Sequence, residues 1–151
     1  MEILGRILDR EIKFEVYDTS KNWIADFPKE NWCLVIIADE ENRNYFDEII
    51  RKAIDRNVGY IHSVGKQHEL IHDLADEEIV IREVENFYLP KHVIMTTGDE
   101  DFENGIWSGT YITHNEETEI TEVIILDVSR NAREKIIELV KKFELGYLPE
   151  D

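Results

Sequence analysis

Cys33 to Ala38 reads CLVIIA, six consecutive apolar residues rich in β-branched side chains, and the run stops at Asp39-Glu40-Glu41-Asn42. A strand with no polar position has no face to give to water. It must be covered on both sides, as strands of a parallel sheet are. The residues after it place Tyr45, Phe46, Ile49, Ile50, Ala53 and Ile54 at helical spacing, with charges on the other face, the pattern of an amphipathic helix lying on a sheet.

The rhythm then repeats. Val58–Ser63 reads as a second strand, and Gln67–Asp76 as a short helix with Leu70, Ile71 and Leu74 on one face. Ile79–Val84 fits a strand or a continuation of that helix equally well. Pro90 introduces a third strand, His92–Thr97. Asp101 is placed to cap a third helix reaching about Thr113, although Gly105 and Gly109 each weaken it by about 1 kcal/mol. Glu122–Ser129 is the fourth strand. Asn131–Phe143 is the last helix, with Asn131 and Glu134 as a capping box and Ile136, Ile137, Leu139, Val140 and Phe143 as its stripe.

Strands alternating with helices imply βαβ units. The expected fold is α/β: a three-layer Rossmann-like sandwich with a mostly parallel sheet of four to five strands. Lys13–Tyr17 alternates polar and apolar residues, so it adds an N-terminal antiparallel or edge strand. The whole chain, 1–151, reads as one domain. Residues 1–30 form an arm packed on the sheet by Trp23, Phe27 and Trp32.

Charge narrows the function classes. The 151 residues carry 34 acidic and 17 basic side chains, a net charge of −17, yet 42% are hydrophobic. That is too apolar for a disordered acidic tail and too poor in clustered cations to grip nucleic acid by its phosphates. The single cysteine, Cys33, permits no intrachain disulfide and no CxxC motif, and its apolar setting marks a buried, inert thiol. No apolar run is long enough for a signal peptide or membrane span, so the expected compartment is the cytoplasm.

Ligands of open α/β sheets bind beyond the carboxyl ends of the strands. There the sequence places Asp39 and Glu40 after the first strand, Lys66 after the second, Thr97 and Asp99 after the third, and Asp127 and Arg130 within and after the fourth. Converging carboxylates offer the hard oxygen ligands of Mg²⁺, and Lys66 or Arg130 could meet a phosphate. The simpler reading, favoured in so acidic a chain, is that these acids cap helix N-termini. Gly59–Gln67 follows part of a Walker A pattern, but it is one residue too long and has Gln67 where Ser or Thr should bind Mg²⁺. No GxGxxG and no GxSxG occurs.

His68-Glu69-Leu70-Ile71-His72 is a literal H-E-x-x-H. On a helix it puts both imidazoles on one face, where they could share a Zn²⁺ with Glu69 as general base. The helix is short, no third ligand is marked, and Asp73 follows the second His. A solvated surface pair is the preferred reading, with a metal-dependent hydrolase ranked third among the functions.

Two segments, W-x-L-V-I-I-A-D-E-E (Trp32–Glu41) and V-I-M-T-T-G-D-E-D-F-E-N-G-I-W (Val93–Trp107), resemble an uncharacterised bacterial family of small Rossmann-like α/β domains. Where that family's pattern has a Trp-His pair after the two threonines, this chain has Gly98 and Asp99. The resemblance implies a fold and no activity.

The leading expectation is a non-catalytic, protein-binding accessory or immunity-type module with a basic partner, no cofactor and no membrane contact. A small-ligand, nucleotide or Mg²⁺ site at the strand ends is the alternative.

Overall fold

A computed structural model describes residues 1–39 and 43–150. Its strands are β1 (Glu2–Ile7), β2 (Arg10–Val16), β3 (Trp32–Ile37), β4 (Tyr60–Val64), β5 (Met95–Asp99) and β6 (Glu122–Asp127). Its helices are α1 (Arg43–Asp55), α2 (His68–Glu85), α3 (Phe102–Trp107) and α4 (Arg133–Glu144). A five-residue π-helix, Ser108–Ile112, continues α3. The strands form one mixed sheet in the order β1-β2-β6-β3-β4-β5. Only β1 and β2 pair antiparallel; β2–β6, β6–β3, β3–β4 and β4–β5 are parallel.

The apolar run does what its composition demands. All six residues of β3 are buried, as are all but the first of β6. Leu34, Ile36, Ile124 and Leu126 face a core completed by α1, α2 and the aromatic arm. Cys33, Val35, Ile37, Val123 and Ile125 face a second core completed by α3 and α4. In the arm, Trp23 meets Phe27 and Phe27 meets Trp32 edge to face, with ring centroids 5.3 and 5.6 Å apart. Trp32 Nε1 donates to the Arg56 carbonyl at 2.8 Å, so the buried indole keeps a partner.

Several expectations need correction. The Lys13–Tyr17 segment lies inside the sheet, antiparallel to β1 and parallel to β6; the edge strand is β1, which its weak alternation concealed. The six strands described agree with the expected four to five plus one. The short helix Gln67–Asp76 runs 18 residues instead, absorbing Ile79–Val84. Buried Arg82 holds its last turns down, bonding Asp55 and Glu78 at 2.7 and 2.8 Å, and Asn86 ends it in the left-handed conformation. The capping box at α4 does not form. The Asn131 side chain lies 2.8 Å from Ser129 Oγ instead of on the helix, and the Ala132 N–H is taken by Asp127 at 2.8 Å. Asp101 does cap α3, accepting from the Asn104 N–H at 2.9 Å.

Gly105 and Gly109 are close-approach positions. A Cβ on Gly105 would lie 2.6 Å from Val64 Cγ1, and one on Gly109 would lie 2.6 Å from Val35 Cγ2. These glycines let α3 and the π-helix settle onto β3 and β4. Helix propensity alone favours alanine at Gly105 by about 1 kcal/mol. The packing predicts the opposite sign: Gly105→Ala lowers unfolding free energy by about 1–3 kcal/mol in urea titrations.

Candidate functional site

The carboxyl ends of the strands are built from backbone turns held by acidic side chains. Asp39 follows β3 and accepts from the Lys66 N–H at 3.0 Å, locking the turn after β4 onto the end of β3. Asp127, at the end of β6, is fully buried. It accepts from Ser129 Oγ at 2.5 Å and from the N–H groups of Arg130 and Ala132 at 3.1 and 2.8 Å. Asp99 accepts from the Asp101 N–H at 2.9 Å. Arg130 turns back to the arm, donating from Nε to the Tyr17 carbonyl at 3.0 Å and pairing with Asp18 at 3.4 Å. Asp39, Asp99 and Asp127 thus hold turns: α2 and α4 carry no side-chain cap at their N-termini, and the helix cap among these acids is Asp101 at α3. Glu40 lies outside the described residues. Lys66 is exposed, and its backbone is what meets Asp39.

The structure concentrates its unusual side chains around β5. On one flank α2 lays the H-E-x-x-H histidines over the strand. A Cβ placed on Gly98 would lie 2.9 Å from His68 Cβ, and His72 Nδ1 is 2.9 Å from Thr96 Oγ1. Thr96 donates in turn to Asp76 at 3.3 Å, and Asp76 also lies 3.3 Å from His72 Nε2. His68, Glu69, His72 and Asp73 wall a groove of about 550 Å³ with Thr96, Thr97 and Gly98 as its floor. The two imidazoles thus lean on β5 instead of standing free in solvent. Among the described residues, no group of three or more His, Cys, Asp or Glu is placed to hold a metal ion.

On the other flank runs a polar chain that the strand patterning did not reveal. His62 Nε2 lies 3.0 Å from the Gly105 carbonyl, which can only accept, so Nε2 carries the proton. His62 Nδ1 then accepts from the Thr97 hydroxyl at 2.7 Å, and Thr97 accepts from Tyr60 OH at 2.9 Å. These groups border a cavity of about 200 Å³ closed by Asp99, Ser108, Ile112 and Thr113. The chain ends beside the π-helix, an irregularity common at functional sites. A histidine in the middle of a buried strand was the one available signal for it. Burial pushes the His62 imidazole down to about 4.

A hollow of about 450 Å³ beside Arg10 lies at the opposite end of the sheet. Its guanidinium is spent on Thr113 Oγ1 at 2.9 Å and on the carbonyls of Thr110 and Thr113. Cys33 is fully buried and its thiol is pushed up to about 12, which fits the inert role.

His62 gives a pH signature. Its folded value lies below the unfolded value of 6.5, so its contribution is complete above pH 6.5. It is lost as pH falls toward about 4, because the unfolded chain takes up a proton that the native chain refuses. The loss is on the order of 3 kcal/mol. Urea titrations between pH 7 and 4 are expected to show it, and the His62→Gln variant should show a shallower decline over the same interval.

A family model described as a domain of unknown function, DUF7684, matches residues 14–143, from within β2 to near the end of α4. Both segments that carry the sequence resemblance fall inside that span. No curated protein and no solved structure matches. The chain belongs to the DUF7684 family.

Proposed function

We propose that the chain is a protein-binding module of accessory or immunity type, and that its contact face is the outward side of α2. The observation that carries this reading is a helix whose solvent face turns from acidic to apolar along its length. Glu69, Asp73, Asp76 and Glu77 occupy the outward positions of the first turns. Val80 and Val84 then follow at i, i+4 spacing with exposures of 55% and 75%. Ile81, Phe87 and Tyr88 stand exposed around them. Buried Arg82 and the αL cap at Asn86 fix this end, so the exposed side chains are displayed from a rigid element.

Grouped apolar side chains with a polar rim mark interaction surfaces. Glu77, Glu83 and Glu85 supply the rim here, so the matching partner is apolar at its centre and basic around it. The charge of the whole chain speeds such an encounter and makes it salt-sensitive.

A second reading rests on strand order. Parallel strands in the order β5-β4-β3-β6 follow half of a Rossmann-like, doubly wound sheet. The change of direction between β3 and β6 is where small ligands of such sheets bind, and Asp39 and Asp127 flank it. Thermal-shift screening with nucleotides, with and without Mg²⁺, tests this reading, and an unchanged melting temperature throughout removes it.

The primary reading predicts that Val80→Glu/Val84→Glu leaves unfolding free energy within about 0.5 kcal/mol, because both sites are exposed. In affinity capture from host lysate, a basic protein should be retained by the natural sequence. It should be lost, or bound at least about tenfold more weakly, by the double variant. Equal capture by both overturns the assignment of this face.

A further inference from the structure

The two edges of the sheet are finished differently. β1 is broken by a bulge between Ile3 and Gly5 and is packed by α4, whose terminal Glu144 accepts from the Arg6 N–H at 3.2 Å. Bulges and covering elements are ordinary protection for an edge. β5 keeps an unbroken register with β4, has no strand beyond it among the described residues, and carries neither proline nor lysine.

The open backbone groups can be identified. The Met95 N–H donates to the Gly59 carbonyl at 3.2 Å, and the Asp99 carbonyl accepts from the Gly65 N–H at 2.9 Å. Residues 95, 97 and 99 therefore turn toward β4. Successive residues of a strand turn opposite ways, so Thr96 and Gly98 present N–H and C=O outward.

A strand added there would find a hollow on each side. The 550 Å³ groove offers the carboxylates of Glu69 and Asp73. The 200 Å³ cavity on the other side offers Tyr60 and Ile112, the latter 59% exposed. Side chains of a strand alternate between its faces, so one set would meet carboxylates and the next set a smaller hollow lined mostly by uncharged side chains, Tyr60, Thr97, Ser108, Ile112 and Thr113 among them, with Asp99 at its border. A second copy of this chain would bring another net −17, and its own β5 carries no cation to set against the carboxylates.

We propose that β5 is a docking edge that accepts, by strand addition, an extended segment of a basic partner whose side chains alternate between cationic and uncharged. This rests on the protein-binding reading and names the segment recognised.

The test uses the full chain and three fluorescein-labelled peptides of eight residues. One alternates Lys and Val, one has the same composition in two blocks, and one is the alternating peptide N-methylated at every second residue. Fluorescence anisotropy should show the alternating peptide binding at least about tenfold more tightly than either control. Equal binding of all three, or no binding of the alternating peptide at about 1 mM, overturns the proposal. Thr96→Pro, which removes an outward donor, should weaken the alternating peptide about tenfold. If that variant does not fold, the N-methyl comparison still decides. A partner captured through α2 that binds Thr96→Pro with unchanged affinity overturns docking at β5 while protein binding stands. Tight alternating-peptide binding with no captured partner supports the edge and removes the α2 reading.

Discussion

The parallel pairing of β6 between β2 and β3 is the interaction on which the rest of the molecule depends. It joins the antiparallel β1–β2 ribbon to the β3-β4-β5 half of the sheet, and it is buried on both faces. Two-sided burial forces helices onto both sides, and the chain meets that demand with different devices. On one face, α1 brings a long apolar stripe, α2 a shorter one around Ile71, Leu74 and Ala75, and the arm adds interlocked rings. On the other, α3 is short, so it approaches through Gly105 and Gly109 until its backbone touches valines of β3 and β4. The buried carboxylate of Asp127 then turns the chain from β6 into α4, which is why its oxygens all accept from local groups.

What was legible in the sequence followed burial. CLVIIA and the stripes of α1 and α4 could be read because a core leaves a periodic record. The second half of α2 could not, because Val80 and Val84 sit where a helix ordinarily turns polar residues to water, which blurs the period. β1 was missed because it is half exposed. The strand-end acids are visible as a set, but composition points to helix N-caps, whereas Asp39, Asp99 and Asp127 accept from N–H groups of turns. The chain from Tyr60 through Thr97 and His62 to Gly105 was out of reach. Its last bond joins residues 43 positions apart, and no local pattern encodes such a meeting.

The excess of acidic residues has a structural counterpart in how the cations are used. Arg10, Arg56 and Arg130 aim their guanidinium groups at carbonyls of distant segments, and Arg82 at the Tyr88 carbonyl just beyond its own helix, binding the arm, the loop after α2 and the loop before β6 to the body. Arginine suits this work because its planar donors serve several acceptors at once. These four cations are thereby committed to bonds within the chain. The carboxylates of α2 and of the turn after β5 are left to face outward around a strand with open backbone groups.

The central claim is that the sheet is closed at β1 and open at β5. Amide hydrogen exchange of the free protein tests this most directly, because exchange reports whether each N–H has a partner. The account predicts an alternation along one strand: slow exchange at Met95, Thr97 and Asp99, whose amides face β4, and fast exchange at Thr96 and Gly98. Uniformly slow exchange across residues 95–99 would mean that the edge is already covered, and would contradict it.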